Sequence, residues 1–382
     1  MALEVATLTA VDQLRSLEKD WLGLLSRSKL DLPSLWPEWI ITWWELFRQE
    51  RSVIRDRLHV KAVRRDSGEL VALVPLMVTE RPGVGPARVR AIGFIGADKY
   101  LTEQRAPIVD PAWEGEAARA LAADLRGDRR WDWIAWEGLQ PESEFGKGLA
   151  REMDLRWGSS QPGNILHLAP SWEELRRQLK RHVKDSIRHC YNSLRTGGLT
   201  AHLDVAVTQD QIASALETFF DLHRTISRHF ADVTRSDHFA DRIARRFLIL
   251  ACSRFAARNI ARVFTLRIGG VPVASRVGFL LRECLYLYYA GYDPAWRKYS
   301  VGTTVTAEAI KYAIQSGLRQ VHLSMGADAS KSRWRPEMPL FYSAVCVKPG
   351  LYPRTALGVY SWARARIGAL EGMKTLLGRR FE

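Results

Sequence analysis

Cysteine is scarce in this chain. Four residues in 382, Cys190, Cys252, Cys284 and Cys346, stand far apart and form no C-x-x-C pair. That spacing argues against a disulfide framework or a cysteine-rich zinc site and fits a reducing, cytoplasmic setting. Long apolar runs are missing too. The longest strongly apolar stretch, Val71–Val78, is far short of the roughly 20 residues a membrane span needs. The start, Met1-Ala-Leu-Glu4, has no basic stretch followed by an apolar one, so no signal peptide is expected. No G-x-G-x-x-G, G-x-S-x-G or H-E-x-x-H occurs. Gly326-Ala-Asp-Ala-Ser-Lys-Ser332 lacks the glycines of a phosphate loop, and the pairs His182/His189 and His223/His229 have poor metal spacing, so no metal is expected.

Positive charge is abundant. There are 56 Lys and Arg against 42 Asp and Glu, a formal net charge of +14, while 47% of residues are hydrophobic. That balance is typical of a folded chain and excludes a disordered or collagen-like one. Length suggests two domains or three. The basicity is concentrated in Ser171–Gly198 and in the tail beyond Gly350. Nucleic acid, anionic lipid and a small polyphosphate could each exploit it. With no zinc-finger, RNP or basic-zipper signature, the nucleic-acid reading stands on charge alone.

The order of elements is written twice. Apolar spacing gives helices over Val11–Leu25 and Trp39–Phe47. A hairpin follows, Leu58–Val63 turning at Arg65–Gly68 into Glu69–Val78. Then come a helix over Ala112–Leu125 ending near Gly127 and the alternating strand Trp131–Trp136. In the second half, the capping box Ser171-x-x-Glu174 opens a long helix closed by Gly197-Gly198. Helices at Gln211–His223 and His238–Phe255 come next. A hairpin turns at Gly269-Gly270 (Ala261–Leu266, Val271–Leu281), and strand Cys284–Tyr289 follows. Helix Gly302–Gln315, stopped at Gly317, feeds strand Gln320–Ser324. The recurrence, offset by about 190–200 residues, predicts an α/β (α+β) protein of two tandem modules, each a mixed, mostly antiparallel sheet flanked by helices. The expected divisions are 1–165, 166–350 and a basic helical tail, 351–382.

The stretch Leu285–Pro294, then Ala-Trp-Arg-Lys-Tyr-Ser-Val-Gly302, carries the chemistry. A strand ends, and a Ser/Gly loop opens a helix whose first N–H groups and dipole suit an anion. Arg297-x-x-Ser300-x-Gly302 resembles the Arg/Gln-x-x-Gly-x-Gly/Ala pyrophosphate loop of GNAT acyltransferases, with serine at the first glycine. An ordinary helix N-cap has the same spacing.

An ordered set of blocks resembles the CelD-like, FemAB-related acyltransferases, which have tandem GNAT-type modules. The blocks are Leu35-Trp-Pro-Glu-Trp39 with Trp43-Trp44, Gly68–Leu76, Asp98-Lys-Tyr100, Gly270-Val-Pro-Val-Ala274, Ala290–Pro294 with Tyr299–Gly302, and Gly326 with Lys331. The resemblance implies an acyl-CoA-dependent N- or O-acyltransferase of polysaccharide or cell-envelope biosynthesis. It also implies a first module that has lost its donor loop, where Asp110–Gly115 stands instead. Arg297, Ser300, Val301, Gly302 and Thr303 would hold the acyl-CoA, acetyl-CoA being the first candidate. Departures leave the acid–base group open: Val321-His322-Leu323 stands where the family has an Asp-bearing strand, and Asp328 and Ser330 precede Lys331. His322 is a candidate base, Lys331 a candidate for neutralising developing charge, Tyr289 a proton donor to the departing thiolate, and Asp293 either catalytic or only turn-forming.

Lys184 and Arg188 on the basic helix, with Asp328, are candidate contacts to an anionic, sugar-linked acceptor. The tail could touch the inner membrane face or cap the second module. Two other readings stay open: a Fem-like aminoacyl transferase using charged tRNA, and a noncatalytic accessory of polysaccharide synthesis.

Overall fold

The computed structural model describes residues 3–83, 88–98, 100–229, 237–362 and 366. The first module opens with β1 (Leu3–Leu8), α1 (Val11–Ser16), α2 (Glu18–Arg27) and α3 (Pro37–Phe47). The helix expected over Val11–Leu25 is thus two, meeting at Leu17. The expected hairpin is longer than read and bent on both arms. One arm is β3 (Ile54–Leu58) and β4 (Val60–Arg65), the other β5 (Leu70–Val74) and β6 (Leu76–Arg81); the short β2 (Glu50–Arg51) precedes them and pairs antiparallel with β3. His59 and Pro75 mark the bends, since proline cannot donate to a ladder. Then follow β7 (Val89–Phe94), β8 (Ile108–Val109), α4 (Glu114–Gly127), β9 (Trp133–Leu139), α5 (Glu144–Glu152) and β10 (Leu155–Pro162).

The second module comprises β11 (Ile165–His167), α6 (Trp172–Gln178), α7 (Arg181–Thr196), β12 (Ala201–Ala206), α8 (Gln209–His229), α9 (Arg242–Ala257), β13 (Ala261–Ile268), β14 (Val271–Leu281), β15 (Cys284–Tyr292), α10 (Val301–Gln315), β16 (Gln320–His322) and α11 (Ala329–Ser332). Ser171 caps as expected, its hydroxyl accepting the Glu174 N–H at 3.2 Å. The long helix is nevertheless broken at Leu179 and the extended Lys180, which keeps Leu175, Leu179 and Val183 all buried. The Gly269-Gly270 turn has both residues at positive φ, as a tight hairpin requires.

The sheets confirm the duplication. The second is ordered β11-β16-β15-β14-β13-β12, with β15 and β16 parallel and the other pairs antiparallel. The first runs β10, β17 (Leu340–Val347), β9, β7, β6, β3, β2, again with one parallel pair, β7 and β9, in the corresponding place. Bent past His59 and Pro75, it continues as the ladder β1-β4-β5-β8.

The modules are not simply consecutive. The last strand, β17 (Leu340–Val347), lies within the first sheet, antiparallel to β10 on one side and β9 on the other. Residues 340–347, expected with the second module, therefore complete the first. The described part of the tail, 351–362, is helical and lies against the first module: Tyr360 is 5.4 Å from Trp133, and Arg81 sits over the same tyrosine ring. In its described part the tail therefore packs on the first module rather than capping the second. Residues 363–365 and 367–382 lie outside the described residues. Among the described residues no helix is long and apolar enough to cross a membrane.

The interface between modules is a core in its own right. Trp39 and Trp43 of α3 share one buried cluster with Phe247 of α9, Phe279 of β14 and Tyr286 and Tyr288 of β15. Trp39 meets Phe247 edge-on at 4.9 Å, a favourable aromatic geometry.

Candidate functional site

The parallel pair β15–β16 holds together for only three residues, Cys284–Tyr286 against Gln320–His322. Beyond that, β15 runs on to Tyr292 while the other chain turns away. Ser324 adopts positive φ, and the Asn164 amide donates to the carbonyls of Ser324 and Gly326, each at 2.9 Å. A splayed gap opens between the strands. Next to it β15 carries a bulge: Arg276 pairs with Ala290 but Gly278 with Leu287, so Tyr288 and Tyr289 together oppose Val277. Strict alternation would put Tyr289 on the opposite face from Tyr288. The bulge instead places both, with Tyr286, in the same cluster.

At the gap's far end stands the loop singled out in the sequence. Asp293 accepts the Ala295 N–H at 2.9 Å and caps the short 3-10 turn Pro294–Tyr299, so its role is turn-forming. Ser300 takes the left-handed conformation (φ 50°), which glycine adopts without strain, so the serine stands where the resembled loop has glycine. α10 begins immediately after it. No protein acceptor among the described residues meets the N–H groups of Val301 and Gly302. Gly302 and Thr303 remain partly exposed, so the corner is not sealed. Two cations stand near it in the chain's folded form. The exposed Arg297 has no partner among the described residues. Arg333, which sequence reasoning missed, donates to the Thr303 hydroxyl at 2.9 Å. α7 packs alongside, where Cys190 meets the Tyr299 carbonyl and the Thr304 hydroxyl.

The acid–base candidates separate sharply. His322 is 6% exposed, stacked on Tyr286 at 4.3 Å, and its Nδ1 faces the Ser324 N–H. Burial, with Lys331 nearby, pushes its pKa down to about 3. Such an imidazole stays neutral and is a poor base. Tyr289 donates to the Leu101 carbonyl at 2.6 Å, packs against Phe219 and Phe239, and has its pKa raised well above the ordinary value by burial. It holds a first-module loop in place. Lys331 donates to the Met325 carbonyl and pairs with Asp328 at 3.2 Å. Asp328 in turn caps α11 through the Ser330 and Lys331 N–H groups. Lys184 reaches back to the Arg177 carbonyl, and Arg188 is exposed beside Asp185. The structure brings Lys331, Asp328 and His322 together. It leaves Lys184 and Arg188 on the outer face of α7, apart from that group.

The group that fits a base role is Glu103. It belongs to the first module, on the excursion 95–107 between β7 and β8. Its carboxylate meets the Tyr286 hydroxyl and the Met325 N–H, each at 3.2 Å. Burial raises its pKa to about 7 against the pull of Lys331, the Met325 N–H and Tyr286. Arg276 of β14 lies near enough to feel it; burial lowers this guanidinium to about 10. Arg276 donates to Thr306 of α10 at 2.8 Å, and its Nε is buried without a partner. A carboxylate titrating near neutrality, flanked by two cations, is the arrangement expected of a general base. No sequence signal pointed to Glu103, because 222 residues separate it from Met325. Among the described residues no group of His, Cys, Asp and Glu could hold a metal ion.

Residues 181–332 match the acetyltransferase (GNAT) domain family. Over that range the second module is similar to a GNAT domain, and the end of the β15–β16 pairing and the α10 corner lie inside it. No curated protein matches the chain significantly. Among solved structures, FemX aligns with 89% of this chain and 96% of its own, at a TM-score of 0.60 and 11% identity. A conserved protein of unknown function from Bacteroides thetaiotaomicron VPI-5482 aligns over 90% of this chain and 100% of its own, at 0.52 and 13%. At these identities the likeness is one of fold, and it extends over both modules.

Proposed function

We propose that the protein transfers an acyl group from acyl-CoA to an amine or hydroxyl. The observation that carries this reading is the α10 corner, where the unmet N–H groups of Val301 and Gly302 stand with Arg297 and Arg333 beside a splayed parallel pair, within the range similar to a GNAT domain. Acyl-CoA brings a reactive thioester. This chain's residues would bind and align it: the corner holds the diphosphate, and the β15 edge left without a strand partner beyond Tyr286 offers backbone groups to the rest. Glu103 accepts the proton of the attacking amine or hydroxyl, Tyr286 and the Met325 N–H hold its carboxylate, and Lys331 keeps its pKa from rising further.

The acceptor class, a sugar, polysaccharide precursor or envelope metabolite, comes from the sequence resemblance; action at the cytoplasmic side comes from the sparse, unpaired cysteines. The fold shared with FemX supports a second reading, aminoacyl transfer from charged tRNA.

Acetyl-CoA should raise the melting temperature by several degrees, and Gly302→Glu should abolish the shift by placing a carboxylate in the corner. No shift with any acyl-CoA overturns the proposal. Aminoacyl-tRNA-dependent product from a protein indifferent to acyl-CoA selects the second reading.

A further inference from the structure

The largest concave space described in the first module, about 710 Å³, lies away from the gap, between α3, the β2–β3 and β6 strands and the α4–β9 turn. Six arginines line it: Arg48, Arg55, Arg57, Arg90, Arg129 and Arg130. Three carboxylates face them, Glu50, Asp56 and Glu80, and each is poorly placed to neutralise the set. Glu80 alone is shared by Arg57, Arg88 and Arg90, at 3.4, 3.2 and 3.5 Å. Asp56 is spent on neutral donors, the Gln49 N–H and the Thr79 hydroxyl. Glu50 reaches Arg48 only at 4.0 Å. Arg130 is held by Asp128 at 2.9 Å. His59, in the floor, is kept neutral by burial and Lys61 and adds no charge.

Arg55 and Arg129 have no partner among the described residues, and the Arg55 Nε is buried without an acceptor. A buried guanidinium donor left unmet costs free energy that an anion would recover. Guanidinium forks match the paired oxygens of phosphate. Like charges gathered in a concavity also focus the field and raise the local concentration of anions.

We infer that this pocket binds a phosphate-bearing ligand, a phosphate monoester or diphosphate, through Arg55 and Arg129 with Arg48 and Arg90 around them. The phosphate can come from a soluble phosphorylated metabolite or from the headgroup of an anionic lipid. The inference is independent of the acyl-transfer reading and concerns the other module.

Titration calorimetry of the full chain with inorganic pyrophosphate, in low-chloride buffer, tests it. Because pyrophosphate also suits the α10 corner, Gly302→Glu is run alongside to remove that contribution. In the Gly302→Glu background, saturable binding should persist. Adding Arg55→Gln and Arg129→Gln should weaken it at least tenfold, and Arg55→Lys with Arg129→Lys should restore part of it. These side chains make no protein hydrogen bonds, so the melting temperature should hold, which separates lost binding from lost folding. Vesicles containing phosphatidic acid form the second arm. Vesicle binding that depends on Arg55 and Arg129, without pyrophosphate binding, assigns the site to a lipid headgroup. Binding of both probes that is unchanged by Arg55→Gln/Arg129→Gln, or absent from the Gly302→Glu protein, overturns the inference.

Discussion

Asp110-Pro-Ala-Trp113 and Asp293-Pro-Ala-Trp296 are the same four residues at the same place in the two modules. Each aspartate accepts the N–H of the alanine two residues on, at 3.0 and 2.9 Å, and each opens a 3-10 turn before the helix that follows the parallel strand. After the tryptophan they part. The second module runs on through Arg297–Ser300, and α10 starts with no acidic residue in its first turn. The first module enters α4 at once, with Glu114 and Glu116 in the first turn. Glu114 is buried and fully engaged: one oxygen takes Lys29 at 2.7 Å, the other the N–H groups of Glu144 and Phe145. That carboxylate serves the start of α5 and Lys29, and α4 opens with two acidic residues that disfavour an anion where α10 has none.

The preceding strands differ in the same spirit. In the second module β15 deviates by one bulged residue. In the first, Phe94 pairs with Leu76 and Ile108 with Leu73, so thirteen residues, 95–107, leave the sheet where three steps of its partner pass. That excursion crosses to the second module and places Glu103 at its gap. One copy carries the α10 corner, and the other supplies the buried carboxylate at the gap.

The comparison is broken most decisively at Glu103. Glu103→Gln should lower kcat by about 10²–10⁴, the usual worth of a general base, with acetyl-CoA affinity unchanged. Wild-type kcat/KM should rise with pH and level off above about 7, and the variant should lose that inflection. Stability moves the other way. A carboxylate whose folded pKa lies above its ordinary 4.5 keeps its proton in the fold while the unfolded chain releases it, so the wild type loses stability as pH rises from about 4.5 to 7. Thermal melts should therefore show Glu103→Gln gaining on the wild type toward pH 8.

The excursion itself is fastened by Asp98. Its carboxylate accepts the N–H groups of Tyr100, Leu101 and Thr102, the Thr102 hydroxyl and the Trp43 indole N–H. Asp98→Ala should cost about 3 kcal/mol in denaturant unfolding, since several donors lose their acceptor together. It should also lower kcat, because Glu103 rides on the same loop. Glu114→Gln, at the start of α4, should cost about 1–2 kcal/mol and leave acetyl-CoA binding untouched. If it created a second donor site, the account of the first module would be wrong.

Much of this architecture could be read from local pattern. The Gly269-Gly270 hairpin, the bounds of α10 and the Ser171 cap depend on neighbours in sequence, and they appear where spacing put them. The start of α10 just after Ser300 was legible for the same reason. What escaped depends on distant partners. Residues 340–347 fall within the second module's expected span until the registers of β17 with β9 and β10 are known. Tyr289 misleads because a bulge, set by pairing with β14, reverses its facing. His322 looks like a base until burial removes its charge, and Glu103 lies in an irregular stretch with no periodicity to mark it.

The smallest expected difference compares the two shared caps directly. Asp293 accepts the Ala295 N–H alone, so Asp293→Ala should cost about 1 kcal/mol, the ordinary worth of an N-cap. Asp110 makes the matching bond and also binds Arg27 Nε at 2.7 Å, itself only 7% exposed. Removing it strands part of a charge pair as well as the cap, so Asp110→Ala should cost about 2 kcal/mol. Urea melts of the two variants should keep that order. Equal losses would mean that the Arg27 pair contributes nothing and that the first module's corner is held by backbone geometry alone.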